Sequence, residues 1–165
     1  MTKRKLPKIK NYESFPKVNP TVDIACFNAS HTYMLFGKKP TDDKLRLIGG
    51  FAATTDSCYE DSAIREFKEE TNGNLVNVEY ICSQLTNDWR FRESDDKVTT
   101  ILFYGQVLDD RNLKAGDDIA EIHWIEFNEL CETNLSDLII EGHVYLVKRA
   151  LEHITKNGNR KYATI

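Results

Sequence analysis

The sequence has 165 residues, which is about the length of one domain. Apolar residues make up 41% and charged residues 29% of the chain, a globular composition that excludes collagen-like, low-complexity and wholly disordered proteins. The 22 basic and 26 acidic residues give a formal charge of −4. This charge does not favour nucleic acid as a partner, because nonspecific binding to its backbone needs a surplus of cations.

The sequence shows no targeting or membrane segment. No apolar run reaches the ~18 to 20 residues of a membrane-spanning helix, and the basic residues 1–10 are not followed by the apolar core of a signal peptide. The cysteines form no C-x-x-C pair and stand apart in the chain: Cys26, Cys58, Cys82 and Cys131. We therefore predict no membrane partner, no zinc site and a cytoplasmic location.

In chain order, a basic arm comes first. Residues 1–18 are basic and contain Pro7 and Pro16, so we expect a loosely attached or solvated arm before a single domain at 19–165. Residues 21–27 predict a strand, residues 32–36 its hairpin partner, and residues 45–48 a short strand that ends at Gly49 and Gly50.

A helix is predicted from Ser57 onward. Residues 57–60 fit a capping box, and apolar residues then recur at helical spacing on a face that we expect to be buried: Tyr59, Ala63, Ile64 and Phe67. Asn72 and Gly73 end the helix, because both residue types tolerate a left-handed backbone.

The second half of the chain predicts strands at 76–84, 98–107 and 119–127 and an amphipathic helix at 142–154. Several strands with one central and one C-terminal helix predict an α+β domain, in which helices cover both faces of a mixed sheet.

Three acids of the central helix carry the chemical signal. Glu66, Glu69 and Glu70 stand at i, i+3 and i+4, so they project from one side, which we place roughly opposite the apolar face. At ~5 to 6 Å, a partly buried pair repels by on the order of 3 kcal/mol. Neighbouring Arg65 and Lys68 offset part of this repulsion, and a divalent cation would offset the rest. A solvated helix face is the alternative interpretation.

Gly49 and Gly50 favour the first interpretation. Two glycines between a strand and a loop let the backbone approach a ligand closely or adopt a positive φ.

The segment from Gly49 to Gly73 resembles the Nudix box, G-x5-E-x7-R-E-U-x-E-E-x-G-U. The core R-E-U-x-E-E is intact at residues 65–70. The resemblance implies a Nudix-type α/β/α sandwich, with Arg65 holding the loop and helix together through ion pairs. It also implies that Mg²⁺, with Mn²⁺ as an alternative, is bound by Glu66, Glu69 and Glu70, one of which helps to orient or deprotonate the attacking water.

The box departs from the pattern in three ways. The segment between the glycines and Arg65 is one residue longer, and Ser57 stands where the family has its first Glu. Asp56 could pair with Arg65 in place of that Glu, while Ser57 could cap the helix. The final Gly of the box is Asn72, which tolerates the same backbone.

Outside the box, residues 21–27 and 115–124 are similar to segments of the ADP-ribose pyrophosphatase-like Nudix subgroup, which contain T-V-D and G-D-D motifs. The resemblance implies a nucleoside diphosphate-linked small molecule as substrate, with ADP-ribose first. NADH, other nucleotide sugars and dinucleoside polyphosphates follow it.

Residues 88–92 fit such a substrate chemically. Trp89 or Phe91 could stack on a base, and Arg90 or Arg92 could bind phosphate through two hydrogen bonds. The alternative is that the aromatic rings pack in the fold beside surface arginines. Glu121 is a candidate additional metal ligand or base, or else a surface acid at a strand end.

We therefore expect a hydrolase that cleaves a pyrophosphate bond, with ADP-ribose giving AMP and ribose 5-phosphate. Within this scheme Arg65, Glu66, Glu69 and Glu121 are the expected catalytic residues. The expected substrate-binding residues are Gly49, Gly50, Trp89, Arg90 and Arg92.

Three alternatives remain: a pyrophosphohydrolase of nucleoside triphosphates or dinucleotides, a Nudix module that senses a nucleotide without hydrolysing it, and an RNA-decapping enzyme that uses the basic arm. Family members often dimerise, so we expect a homodimer.

Overall fold

The structure is a computed structural model that describes residues 15–86, 89–91 and 93–162, with residues 89 and 157–162 described by their backbone only. Residues 1–14 of the predicted arm, Arg92 and the side chain of Trp89 lie outside the described part. The division of the chain into an arm at 1–18 and a domain at 19–165 stays a prediction.

The described residues contain six strands that form one mixed sheet: β1 (Val18–Asn28), β2 (Tyr33–Lys38), β3 (Ile48–Phe51), β4 (Val76–Thr86), β5 (Lys97–Val107) and β6 (Glu121–Glu126). The sheet order is β4-β5-β1-β2-β6, and β3 pairs with β1 beside β2. β1 runs parallel to β5, and the other strand pairings are antiparallel. β1 is therefore central, and the β1–β2 hairpin is confirmed.

In the part of the chain that the structure describes, four α-helices accompany the sheet: α1 (Tyr59–Thr71), α2 (Phe127–Glu132), α3 (Leu135–Leu138) and α4 (Glu141–Tyr162). On one face, α1 packs through Ala63 and Phe67; on the other, α4 packs through Leu146 and Ala150. The predicted α/β/α sandwich of α+β class is confirmed. No helix in the described ranges is long and apolar enough to cross a membrane.

The central strand explains its own sequence. Val22, Ile24 and Cys26 face the α1 side of the sheet, whereas Ala25 and Phe27 face the α4 side, and all five are fully buried. Because both faces of β1 are covered, its sequence is a continuous apolar run rather than an alternating pattern.

The prediction that the third strand ends at Gly49 and Gly50 is wrong. Gly49 and Gly50 do not stop the strand but lie inside β3, opposite Asp23 and Val22 of β1. Gly49 has a φ of +151°, and a Cβ there would lie 2.1 Å from the carbonyl oxygen of Val22. A glycine at position 49 is thus needed for the close pairing of β3 with β1.

The expected capping box is also wrong. α1 begins at Tyr59 after an extended Cys58, and no side chain caps it. Ser57 is exposed. The first turn carries Glu60 and Asp61, whose charges favour the positive end of the helix dipole.

The buried face of α1 differs from the prediction. Ala63 and Phe67 are buried, but Tyr59 is 44% and Ile64 40% exposed. The remaining buried positions are polar or acidic: Ser62, Glu66, Glu70 and Thr71. The glutamates therefore do not lie opposite the buried stripe; two of the three belong to it.

The other boundaries are close to expectation. Asn72 ends α1 with a φ of 55° and donates its backbone N–H to the carbonyl of Lys68, as predicted. The predicted strand at 119–127 begins later and gives way to α2 at Phe127, and α4 extends beyond the predicted helix. The short helices α2 and α3 were not predicted.

A buried acid, Asp23, lies on β1 opposite Gly49 of β3. Asp23 is 6% exposed, and burial raises the pKa of its carboxyl to about 8. His143 of α4 lies 3.9 Å away, and its Nδ1 accepts the backbone N–H of Leu47 at 3.0 Å. Burial lowers the pKa of His143 to about 3, so the two side chains are a neutral pair rather than an ion pair near pH 7.

Asp23→Asn tests this assignment. The folded protein keeps its proton on Asp23 up to about pH 8, whereas the unfolded chain releases it near pH 4, so wild-type stability falls as the pH rises between these values. Asparagine imitates the neutral acid without this loss. The Tm of the variant, relative to wild type, should rise between pH 4.5 and 8.5, by the equivalent of a few kcal/mol at most. A difference that does not change with pH would contradict the assignment. Asp109→Asn, at an exposed carboxyl, is the control.

Candidate active site

The acids of α1 lie directly against the β3 glycines. A Cβ on Gly50 would lie 2.5 Å from Oε2 of Glu66, so this position leaves room only for hydrogen. The backbone N–H of Gly49 donates to Oε2 of Glu70 at 2.9 Å. Glu69, in contrast, has about half of its side chain exposed. The three carboxylates thus line the junction of α1 and β3, two of them sheltered and one open to solvent.

Arg65 connects this junction to the preceding loop. Its Nη1 donates to Glu66 Oε1 at 2.7 Å and to Glu69 Oε2 at 3.0 Å. Its Nη2 donates to the carbonyl of Phe51 at 3.0 Å and to Asp56 Oδ2 at 3.0 Å. One guanidinium therefore joins β3, the loop and two acids of the helix, as only its rigid fork of donors can.

Asp56 anchors the loop. Its Oδ2 accepts the backbone N–H of Ala53 at 3.1 Å and the hydroxyl of Ser62 at 2.7 Å, besides the bonds from Arg65. The hydrogen bonds from Arg65, followed by that from Ser62, lower the pKa of Asp56 to about 2. Asp56 thus pairs with Arg65, which is the contact that the sequence suggested in place of the family's first Glu.

Burial disfavours the charged form of the two sheltered acids, Glu66 and Glu70. Burial is the largest cause that raises the pKa of Glu70, to about 8, and it also raises the pKa of Glu66. Hard oxygen donors held at such cost are suited to a hard divalent cation such as Mg²⁺. Within the described ranges, no three His, Cys, Asp or Glu side chains converge as a preassembled metal site. Glu69 would have to turn from Arg65 to join Glu66 and Glu70.

A second acidic segment, which sequence reasoning did not assign to the site, lies beside α1. The backbone N–H groups of Lys114 and Gly116 donate to the carbonyls of Thr71 and Glu70, both at 2.9 Å. This places Asp117 near Glu66, and Asp118 near Glu70 and in an ion pair with Lys39. The sequence signal was present in the G-D-D motif, but it indicated only a subgroup.

The structure places the other predicted residues around this centre. The guanidinium of Arg90 lies 4.5 Å from the ring centre of Phe51, which follows the β3 glycines. Glu121 begins β6 and accepts a hydrogen bond from His123 at 3.0 Å. The roles of Arg90 and Glu121, and substrate contact at Gly49 and Gly50, stay predictions.

Asp56→Asn and Ser57→Ala separate the two residues that could stand in for the missing Glu. Asp56→Asn removes the charge that Arg65 binds, so the Tm at pH 7 should fall by a few degrees. Because the low pKa of Asp56 stabilises the fold only above its unfolded value near 4, this difference should shrink as the pH falls toward 2. Ser57→Ala should leave the Tm within about one degree, since Ser57 is exposed. Thermal melts that rank the two variants in the opposite order would contradict the geometry.

Comparisons with solved structures agree with this architecture. The chain superimposes on the NUDIX domain of Shewanella oneidensis NrtR complexed with ADP ribose with a TM-score of 0.67 and 18% identity, covering 87% of this chain and 93% of that one. For a MutT/nudix family protein from Enterococcus faecalis, the TM-score is 0.66 at 22% identity, and the coverage is 93% and 66%.

A bifunctional NMN adenylyltransferase/ADP ribose pyrophosphatase from Francisella tularensis aligns with a TM-score of 0.58 and 24% identity, over 84% of this chain but 42% of that one. At these low sequence identities, the superpositions show a shared fold. No curated protein matches the sequence.

The family follows from the sequence itself. The family model described as the NUDIX domain matches residues 17–149, which include β1, the β3 glycines, all of α1 and the Asp117–Asp118 segment. The intact R-E-U-x-E-E core falls inside this match, with Arg65 placed as the centre of the network. The chain therefore belongs to the Nudix hydrolase family.

Proposed function

We propose that this Nudix hydrolase cleaves the pyrophosphate bond of a nucleoside diphosphate derivative. ADP-ribose is the proposed preferred substrate, and Mg²⁺ or Mn²⁺ is the proposed cofactor. The products would be AMP and ribose 5-phosphate. The observation that carries the proposal is the carboxylate cluster at the β3 glycines, in which Arg65 holds Glu66 and Glu69 and the Gly49 N–H holds Glu70.

The fit of the cluster to a metal rests on its donors. Glu66 and Glu70 are buried acids, and burial is the largest cause of their raised pKa values. When bound, a divalent cation would polarise the phosphoryl oxygens and make a water molecule more acidic. Glu66, Glu69 and Glu70 would hold it, and the lack of a side chain at Gly50 lets Glu66 lie directly against β3. Contact of the diphosphate with the Gly49–Gly50 backbone stays a prediction.

The residues of this chain divide the remaining work. Arg65 fixes the loop and helix, so that Glu66 keeps its position against β3 when the substrate arrives. Glu69 is the most exposed of the three acids, which suits it to accept a proton from the attacking water. The oxygen of that water forms a bond to one phosphorus, and the bond from that phosphorus to the bridging oxygen breaks. The other phosphate leaves with the bridging oxygen, giving two monophosphates.

ADP-ribose is supported by the similarity of residues 21–27 and 115–124 to the ADP-ribose pyrophosphatase-like subgroup. Two of the solved relatives agree with it: one is a complex with ADP ribose, and another carries ADP ribose pyrophosphatase in its name. The exposed Arg90, held over Phe51 beside the glycines, is a suitable cation for a substrate phosphate.

The homodimer and the cytoplasmic location remain predictions. Sedimentation analysis of the purified protein checks the first, since a dimer would have twice the chain mass of 19.0 kDa.

A substrate panel tests the proposed function. Wild-type protein with Mg²⁺ should release AMP from ADP-ribose faster than it hydrolyses NADH, dinucleoside polyphosphates or nucleoside triphosphates, and EDTA should abolish the reaction. Glu69→Gln keeps the side-chain size but removes the proposed base, so kcat should fall by about 100-fold or more. Chromatography of the products provides the measurement.

The outcomes of the panel separate the alternatives. Release of pyrophosphate from a triphosphate as the fastest reaction would replace ADP-ribose with that substrate. Tight binding of ADP-ribose without any hydrolysis would contradict the enzyme and favour the nucleotide-sensing module. Glu60→Gln, the same change at an exposed glutamate in the first turn of α1, is the matched control for Glu69→Gln.

A further inference from the structure

An exposed aromatic ring stands at the end of β3, directly after the glycines that contact the acids. Phe51 is the last residue of this strand, and 38% of its surface is exposed. Single apolar side chains on a protein surface are common and need no explanation by themselves. The position of Phe51 sets it apart, because its carbonyl is bound by the same Arg65 that binds Glu66.

The backbone at Phe51 is fixed from two sides. Arg65 Nη2 binds its carbonyl at 3.0 Å, and Phe51 lies opposite Thr21 in the pairing of β3 with β1. The next residue, Ala52, extends this pairing by donating its N–H to the carbonyl of Pro20 at 3.1 Å. The ring is therefore presented to solvent from a rigid strand end, so little conformational entropy is lost when a flat group stacks on it.

The ring and the acids lie on opposite faces of β3. A side chain at Gly50 would collide with Glu66. Successive residues of a strand point to opposite faces, so Phe51 points away from Glu66. Only the end of the strand separates the two faces, since the chain enters the 52–58 loop directly after Phe51. A nucleotide whose diphosphate binds at the acids therefore has a direct route around the strand end to the ring.

The ring already receives a flat polar group on its face. The guanidinium carbon of Arg90 lies 4.5 Å from the ring centre of Phe51, within the distance of a cation–π contact. Arg90 is exposed, and cation–π contacts at exposed sites are weak, whereas a nucleobase stacks more strongly on an aromatic ring. A base is therefore able to displace the guanidinium, and the displaced arginine then turns to a substrate phosphate, which suits its paired donors.

From these contacts we infer that Phe51 is the stacking platform for the base of the substrate, and that the base takes the place of the Arg90 guanidinium on the ring. This inference rests on the proposed function, because it assumes a substrate that contains a nucleoside. Every base has a flat π-face, so Phe51 favours nucleoside diphosphate derivatives over sugar diphosphates without a base, and it does not choose among bases. Phe51 thereby selects a class of substrate, whereas the acids act on the diphosphate alone.

Two compounds that differ by the base test the inference. AMP and ribose 5-phosphate differ by adenine, and neither contains a pyrophosphate bond, so both are titrated into the intact protein with Mg²⁺. The readout is the preference for AMP, defined as the ratio of the two dissociation constants. Phe51→Leu should lower this preference by about tenfold, because an aliphatic side chain cannot stack as a ring does. Phe51→Tyr keeps the ring and should stay within about threefold of wild type.

Kinetics with ADP-ribose provide a second readout. Phe51→Leu should raise KM by about tenfold and change kcat much less, because stacking of the base is the same in the ground state and in the transition state. A loss of kcat with an unchanged KM would overturn the inference.

Arg90→Ala tests the exchange. It should weaken the binding of both compounds through the lost phosphate contact, but leave the preference for AMP equal to that of wild type or higher. A preference that falls as it does in Phe51→Leu would show that the guanidinium holds the base instead of yielding its place, and would overturn the exchange. Tyr33→Leu, which removes an exposed ring beside the other end of β1, is the control and should change neither dissociation constant.

Failure of the inference and failure of the proposed function look different. If the protein hydrolyses ADP-ribose but Phe51→Leu keeps the wild-type preference for AMP, or wild type has no such preference, Phe51 is not a platform and the function stands. If wild type cleaves no pyrophosphate bond but loses its preference for AMP in Phe51→Leu, the platform stands and the hydrolase fails. Thermal melts check folding, and a lower Tm of Phe51→Leu with an unchanged preference would assign the Arg90–Phe51 contact to stability alone.

Discussion

The guanidinium group of Arg65 is the interaction on which the rest of the site depends. Buried acids repel one another and lose hydration, so Glu66 and Glu70 remain at the α1–β3 junction only with compensation. Arg65 supplies a compensating positive charge to Glu66 and Glu69. Its guanidinium also binds the Phe51 carbonyl and Asp56. A lysine could supply the charge but not this number of directed bonds.

The sheet provides the rigid side of this arrangement. β3 lies against the central strand because Gly49 has no side chain to meet the Val22 carbonyl, and Gly50 gives the same freedom to Glu66. Since β1 is close-packed on both faces, it firmly supports the β3 backbone that contacts the acids. The site therefore combines a fixed glycine strand, a helix that carries acids, and loops that are tied to both. Two of these ties, the carboxylate of Asp56 and the backbone N–H of Gly116, lie outside the R-E-U-x-E-E core.

Local patterns predicted much of this fold, and nonlocal contacts account for most of the errors. The strand and helix order, the left-handed Asn72 and the Asp56–Arg65 pair follow from residues that are close in the sequence. The buried position of Glu66 does not, because it depends on the glycines of a separate strand. The same holds for Asp118, which meets Glu70 only through the folding of a distant segment. Ser57 shows the opposite error: a suitable capping sequence is present, but the loop runs through Asp56 instead.

The pairing of acids with cations also explains how a chain with a departure in its Nudix box retains a complete network. The extra loop residue moves the acid that faces Arg65 to Asp56, and this shorter side chain still reaches the guanidinium at 3.0 Å. Ser62 and Ala53 complete its hydrogen bonds. The departure thus changes which residue supplies the carboxylate, while the contact itself is kept.

The most direct test of this account is the kcat of Arg65→Lys for ADP-ribose with Mg²⁺, measured on protein shown to be folded. Lysine preserves the positive charge but cannot bind β3, the loop and both acids at once. The account predicts that kcat falls by about 100-fold or more, because the acids lose their fixed positions. A variant that keeps most of the wild-type kcat would show that charge alone suffices, and would contradict the central role of the Arg65 network.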